Sequence, residues 1–151
     1  MFFLKSLPTR NVLIEYKKRF PNMDIEAVES ALNLLRQASL LERHLDAYFS
    51  TQGLSQLRFL ILIVLDRENR KASLKSSDIA DRLDISRPVM TRTIQALEKA
   101  KAVCISEDEF DGRAKVVSLT DCGRSILHNS LPGYYDIIRD FMERNRDSTV
   151  S

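Results

Sequence analysis

The sequence predicts a mainly α-helical fold with one small β-hairpin and with long helices on both sides of it. Two observations carry this prediction. Over most of the chain, apolar residues recur every three or four positions, which is the period of amphipathic helices. In residues 103–119, by contrast, two short segments rich in β-branched residues flank a charged loop, which is typical of a hairpin.

Residues 76–99 are predicted to form a short helix, a tight turn and a longer helix. The first helix has one apolar face, made by Ile79, Ala80 and Leu83. Ser86 then offers a helix N-cap, because its hydroxyl can accept a hydrogen bond from a free amide of the next turn. Pro88 is tolerated in that first turn, where its missing N–H loses no hydrogen bond. The second helix buries a stripe made by Met90, Ile94 and Leu97.

The hairpin follows directly, with strands predicted at residues 103–105 and at Lys115–Leu119. The loop between them is acidic and turn-rich, and Gly112 can take a positive φ there. Two helices joined by so short a turn meet at a steep angle, so the second presents its polar face away from the core. Helix, turn, helix and hairpin in this order form a winged helix-turn-helix, an architecture that binds DNA.

The exposed face of the second helix carries the chemistry expected of a DNA reader. Thr91 and Gln95 can hydrogen-bond to base edges or to phosphates. Arg87 and Arg92 can reach guanine edges or phosphates, and Val89 can contact a thymine methyl group. A solvated helix in an ordinary helical bundle has a similar polar face, and the hairpin that follows favours the DNA-binding interpretation.

The same stretch resembles the MarR family of bacterial and archaeal transcriptional regulators. The motifs that match, in the family's order, are Ile79-Ala80, Leu83, Ser86-Arg87-Pro88-Val89-Met90-Thr91-Arg92, Ile94, Leu97-Glu98-Lys99, Asp111-Gly112-Arg113 and Leu119-Thr120-Asp121-Cys122-Gly123. The resemblance implies a homodimer that binds a pseudo-palindromic operator in double-stranded DNA. The helix that begins after Ser86 would enter the major groove, and Arg113 would enter the adjacent minor groove.

The resemblance also gives Asp111 a role, since it matches the family's acidic residue that orients the wing arginine. A guanidinium is attracted to the negative potential of a narrow minor groove, and a nearby carboxylate can hold its conformation. A surface salt bridge between Asp111 and Arg113 is the alternative. The predicted DNA-binding residues are Ser86, Arg87, Pro88, Val89, Thr91, Arg92, Gln95, Asp111 and Arg113.

The wing region departs from the family pattern. Lys101 stands at the position of the usual glycine after the recognition helix, and Ile105 and Ser106 replace the usual basic residues. Acidic residues crowd the wing loop, and like charges near phosphates weaken DNA binding. The second interpretation is therefore a winged-helix protein-interaction module that has lost DNA binding. Salt-dependent DNA affinity separates the two, because only a DNA binder must release counterions.

Composition and length indicate the number of domains and the classes of function that the chain can have. A chain of 151 residues with 44% apolar and 29% charged residues predicts one globular domain over residues 1–151. Within it, residues 1–50 and 120–151 are predicted dimerisation helices, and residues 55–119 the winged-helix region. A net charge of +2 means that nucleic-acid affinity must come from a local arrangement. No nucleophile triad, glycine-rich phosphate loop or metal-ligand spacing is present, so we expect no enzyme, no cofactor and no metal.

The flanking helices are predicted at residues 9–20, 24–50, 56–66 and 120–131, with a further one at residues 134–144. The basic helix at 9–20 could touch DNA or a membrane, but its many apolar residues favour packing. Pro132-Gly133 is expected to interrupt the last helical pattern. In the family the terminal helices form the dimer, and the short C-terminal part here predicts a dimer with an altered interface. The longest apolar run, residues 59–65, is too short to span a membrane, and a reducing cytoplasm is the expected compartment.

Regulation is predicted only in outline. Many proteins of this family release DNA when a small phenolic or lipophilic molecule binds between the dimer helices and the winged domain. For such an effector the sequence offers apolar walls from the helices at residues 24–50 and 56–66. Oxidation of a cysteine is the alternative, with Cys122 at a helix start a better candidate than Cys104, because a helix N-terminus lowers the pKa of a thiol. Most such residues are structural, so the redox role is disfavoured.

Overall fold

The computed structural model describes residues 6–68, 73–108 and 112–146, which form six α-helices and three β-strands. The helices are α1 (Arg10–Arg19), α2 (Ile25–Thr51), α3 (Gln56–Arg67), α4 (Ser76–Leu83), α5 (Arg87–Lys99) and α6 (Asp121–Arg146), and the strands are β1 (Leu74–Lys75), β2 (Val103–Glu107) and β3 (Lys115–Leu119). The predicted fold class, mainly α with a small β-hairpin, is confirmed. The chain divides into two compact units, residues 1–45 and 46–151, with the boundary inside α2.

The first unit contains α1 and the first part of α2. Asp24 caps α2, since its Oδ1 accepts a hydrogen bond from the Ala27 amide at 3.0 Å. Arg10 on α1 pairs with Glu29 on α2 at 2.6 Å. Leu13 is the buried residue of α1, whereas other apolar side chains of this helix region are exposed, namely Val12, Ile14, Tyr16 and Phe20. The apolar content of this helix predicted that it packs against other elements. Among the described residues, Leu13 is the side chain of α1 that is buried in such packing.

Helix α3 forms the centre of the second unit. Ser55 caps it as predicted, accepting a hydrogen bond from the Arg58 amide at 3.3 Å. Its fully buried side chains include Phe59, Ile61 and Leu62. The Phe59 ring lies 4.5 Å from the ring of Phe49 and 4.8 Å from that of Tyr134, measured between centroids. This aromatic cluster joins the end of α2, α3 and α6.

The sheet is antiparallel with strand order β1-β3-β2. Strands β2 and β3 form the predicted hairpin, with Ile105 opposite Val117 and Glu107 opposite Lys115. Strand β1 pairs Leu74 with Val117 on the other side of β3. Strand β1 was not predicted from the sequence, because two residues are too few to display an alternating pattern.

Helix α6 runs unbroken through Pro132, so the predicted interruption at Pro132-Gly133 is wrong. A proline inside a helix removes one backbone hydrogen bond, but Tyr48 supports the backbone nearby. Its hydroxyl donates to the carbonyl of Ser130 at 2.9 Å. A Cβ atom at Gly133 would lie 2.5 Å from the Tyr48 hydroxyl oxygen, so the glycine makes room for the tyrosine ring. Tertiary packing thus overrides a local helix-breaking signal.

The start of α6 is fixed to the base of the hairpin. Thr120 caps the helix as predicted, accepting from the Gly123 amide at 3.0 Å, and its own hydroxyl lies 2.7 Å from the Lys101 carbonyl. A Cβ at Gly123 would lie 2.0 Å from the carbonyl oxygen of Ala102, so only glycine fits this approach. The next residue, Arg124, pairs with Asp66 of α3.

No single helix in the described ranges is long and apolar enough to cross a membrane. Helices α2 and α3, which meet at an angle of 81°, are together long and apolar enough for a bent membrane span by length and composition only.

Candidate DNA-binding surface

Helix α5 is held by one face and exposes the other. Met90, Ile94 and Leu97 are each at most 3% exposed, which fixes the helix against the second unit's core. The turn before α5 is tight because Asp84 takes a left-handed conformation (φ 51°) and the Ile85 amide returns to the Ala80 carbonyl at 3.1 Å. The helix-turn-helix geometry predicted from sequence is therefore present.

Ser86 occupies the N-cap position of α5 with extended backbone angles, but its hydroxyl forms no capping hydrogen bond with the described residues. The predicted capping role is wrong in this respect. Pro88 is the second residue of the helix and has no N–H, so one of the two amides that usually bind a cap is missing. The Ser86 carbonyl still accepts from Met90 at 3.0 Å. The Ser86 side chain is exposed and available to an external acceptor.

Five of the predicted DNA-binding residues of α5 fall into three groups around the helix axis, given about 100° per residue. Pro88 and Arg92 lie opposite the buried face. Thr91 and Gln95 lie on the flank nearest the hairpin, and Val89, 41% exposed, lies on the other flank. Arg87 and Arg92 form no ion pair with any described residue, whereas Arg82 and Arg139 pair with carboxylates. Both unpaired guanidinium groups are therefore free to bind an anion.

The hydroxyl of Thr91 is partly committed. It donates to the Arg87 carbonyl one turn earlier, at 3.0 Å. In this conformation Thr91 can offer an external partner only an acceptor lone pair and a methyl group. These features suit an amino group or a methyl group of a base edge better than a phosphate oxygen, which needs a donor.

The wing is described except at its tip. The Asp108 amide donates to the Ala114 carbonyl at 2.8 Å, which closes the hairpin beyond the last strand pair. Gly112 and Arg113 are exposed. Asp111 lies outside the described residues, so its predicted pairing with Arg113 stays a prediction. The structure therefore brings together the seven predicted residues of Ser86 and α5, and separately exposes Arg113 on the wing.

A cleft runs between α5 and the hairpin. Its volume is about 250 Å³ next to Thr91, and its lining there includes Gln95, Ile105, Lys115 and Val117. Ser76, the first residue of α4, also lines it. Ser76 and Lys115 were not among the residues predicted from the sequence to bind DNA. Strand alternation places Lys115 on the face of Val117, but only the tertiary structure brings that face next to Gln95.

Both cysteines are exposed free thiols. Cys104 lies on β2 and Cys122 in the first turn of α6, as predicted. Among the described residues no group of three or more His, Cys, Asp or Glu side chains could hold a metal ion.

Two helices joined by a tight left-handed turn and followed by an antiparallel wing define a winged helix-turn-helix protein. The chain belongs to the MarR family, whose model matches residues 52–114. That range ends at the wing and includes α3, α4, α5 and β2. Members of this family are transcription regulators and not enzymes, in agreement with the absence of catalytic motifs in the sequence.

Similar proteins extend the match beyond the winged helix. The chain is 27% identical over 145 residues to the HTH-type transcriptional repressor YetL of Bacillus subtilis (strain 168), covering 95% of this chain and 86% of that protein. It is 26% identical to the HTH-type transcriptional regulator PecS of Dickeya dadantii (strain 3937), covering 93% and 81%. Among solved structures, Sco3205, a MarR family regulator from Streptomyces coelicolor in complex with DNA, matches with a TM-score of 0.74 and 25% identity, covering 81% and 76%.

Proposed function

We propose that this chain is a homodimeric repressor that binds a pseudo-palindromic operator in double-stranded DNA. The observation that carries the proposal is the exposed surface at the start of α5, where Arg87 and Arg92 form no ion pair with a described residue and the Ser86 hydroxyl makes no capping hydrogen bond, while the other face of the helix is buried. Such a face presents positive charge and hydrogen-bond donors to a polyanion without first breaking internal interactions. A repressor among the similar proteins, and a similar regulator bound to DNA, support the same function.

The residues take different roles in this proposal. Ser86 and Arg87, at the start of α5, contact phosphates that position the helix. Arg92 reads a guanine edge, Thr91 contacts a base edge, and Gln95 contacts a base edge or the backbone beside it. Pro88 and Val89 provide apolar contact, with Val89 against a thymine methyl. Arg113 enters the minor groove, oriented by Asp111.

The dimer is proposed to form through residues 1–50 and 120–151. Exposed large apolar side chains in both ranges support this, since burying them against a second copy of the chain would remove apolar area from water. They include Leu34, Leu35, Phe20, Tyr135 and Met142, which are each more than half exposed. A small apolar or phenolic effector is proposed to bind against α2 and α3 and to change DNA affinity. We place the protein in the cytoplasm, where the operator would be available to it.

The test is selection of bound duplexes from a random pool, followed by measurement of affinity for the winners against salt concentration. We expect an enriched palindrome whose affinity falls steeply as salt rises, because each neutralised phosphate releases counterions. Arg92→Ala is expected to relax selection at one position in each half-site, as loss of a bidentate base contact would. Arg67→Ala, at the exposed end of α3 and outside the proposed DNA-binding and dimer residues, is the matched control. Failure to enrich any sequence, together with a flat salt response, would favour a protein-interaction module.

A further inference from the structure

We propose that the cleft between α5 and the hairpin is a binding site for one phosphate group of the DNA backbone, with Lys115 as its cationic residue. The Ser76 hydroxyl and the Gln95 amide are the neighbouring donors. This inference rests on the proposed DNA binding and adds two residues, Lys115 and Ser76, to the interface. It also assigns a function to the part of the cleft that lies between Gln95 and the hairpin.

The first step is geometric. If α5 occupies the major groove and the wing reaches the adjacent minor groove, the two elements straddle one sugar-phosphate strand. That strand separates the two grooves, so it must pass over whatever lies between α5 and the hairpin. The cleft lined by Gln95 and Lys115 is the space between these elements. A DNA backbone is therefore the occupant that docking of both elements requires.

The second step is the chemistry of the cleft. Ile94, Ile105 and Val117 form an apolar floor, and the polar groups of Ser76, Gln95 and Lys115 stand around it. The strand register explains the position of Lys115. Its pair with Glu107 lies on the same face of the hairpin as the pair of Ile105 with Val117, one step nearer the wing tip. The aliphatic part of Lys115 can thus lie along the floor while its ammonium group stays in water.

The third step is charge. Lys115 is exposed and forms no ion pair with a residue in the described ranges, so binding a phosphate breaks no internal interaction. A second cavity, which shares Gln95, Ile105 and Lys115 with this cleft, is lined by Glu98 and Glu107. Two carboxylates repel a phosphate there, which directs the DNA strand to the end at Ser76 and Thr91. The charges thus predict both an occupant and its position.

The test compares wild type with Lys115→Gln on the selected operator duplex. Loss of one phosphate contact is expected to lower affinity about tenfold for each bound subunit and to reduce the salt slope by about one per subunit. The selected sequence should stay the same, because a phosphate contact carries no base information. Arg67→Gln, at the exposed end of α3, removes one positive charge outside the cleft and outside the proposed dimer ranges, and is expected to change neither quantity.

A second measurement identifies the contacted phosphate. Single phosphates of the operator are replaced by neutral methylphosphonates along the strand that separates the two grooves. One replacement should weaken the wild type and have no effect on Lys115→Gln, since each change removes the same interaction. Glu107→Gln should strengthen wild-type binding by removing the nearest repulsive charge.

The outcomes separate the two hypotheses. If the wild type selects an operator but Lys115→Gln matches it in affinity and salt slope, the phosphate site is wrong and the DNA-binding function stands. The phosphate site is also wrong if every methylphosphonate weakens both proteins equally. If the wild type selects no sequence and shows no salt dependence, the proposed function itself fails.

Discussion

At the scale of single residues, three helices end in the same way with three different residues. The ends of α2, α4 and α5 each place one residue in the left-handed region, namely Gly53 (φ 67°), Asp84 (φ 51°) and Lys101 (φ 59°). After α5, the Lys101 amide returns to Glu98 at 2.8 Å and the Ala102 amide to Leu97 at 2.9 Å, a Schellman motif. Glycine adopts this conformation without steric cost and Asp is tolerated, whereas Lys is strained.

Lys101→Gly is therefore expected to stabilise the protein by about 1 kcal/mol, because it removes the left-handed strain of a residue with a Cβ. The free energy of unfolding is measured by urea denaturation with linear extrapolation. Lys99→Gly, two residues earlier and in helical conformation, is the control and should destabilise by up to about 1 kcal/mol. If both variants changed the free energy of unfolding in the same direction, Lys101 would not be strained.

The same residue shows what a sequence can reveal at this scale. Resemblance to the family marked position 101 as one where glycine is usual, and the structure gives it the backbone angle that explains the preference. The opposite case is Ser86, whose residue type predicted a cap. The following Pro88 removed a donor that the cap needs, and a rule for single residues does not include that neighbour.

At the scale of elements, prediction succeeded where periodicity was long and failed where tertiary contacts decide. Helices α3 and α5 and strand β3 have strong apolar patterns, and their predicted and observed ends agree closely. Strand β1 exists only because β3 offers it a partner. Helix α6 passes through Pro132-Gly133 with the Tyr48 ring packed beside it, and Tyr48 lies 82 residues away in sequence from the Ser130 carbonyl to which it donates. The α5–hairpin cleft depends on the same kind of distant contact.

The contact between Tyr48 and Gly133 predicts that a Gly→Ala substitution here has the opposite effect on stability from that in an ordinary helix. In an ordinary helix interior, Gly→Ala stabilises by about 1 kcal/mol. Gly133→Ala should instead destabilise this protein, because the new Cβ would lie 2.5 Å from the Tyr48 hydroxyl oxygen. In a Tyr48→Ala background the obstacle is gone, and the same substitution should become stabilising. Urea denaturation of the four proteins in this double-mutant cycle measures the coupling. Additive effects of the two substitutions would show that the ring does not pack against Gly133.

At the scale of the whole molecule, the question is how one winged helix reads an operator. A single recognition helix contacts few base pairs. A two-fold symmetric dimer extends the site by placing a second recognition helix about one turn of the DNA double helix away. The exposed apolar residues of the first unit give such a dimer a surface to bury. Leu34 is 68% exposed in the single chain, the highest value among the large apolar side chains described.

Leu34→Glu is expected to dissociate the proposed dimer, because it would place a carboxylate in a buried apolar contact. Sedimentation equilibrium at micromolar concentration should show a dimer for the wild type and a monomer for the variant. Affinity for the palindrome should fall at least a hundredfold, while binding to an isolated half-site stays weak and unchanged, since avidity is lost and α5 is not altered. Asn33→Glu, an exposed polar neighbour, controls for the added charge. A monomeric wild type would contradict the proposed dimer. An intact Leu34→Glu dimer would instead remove this surface from the interface, and the half-site spacing of the selected operator would then have to be explained by another pairing of subunits.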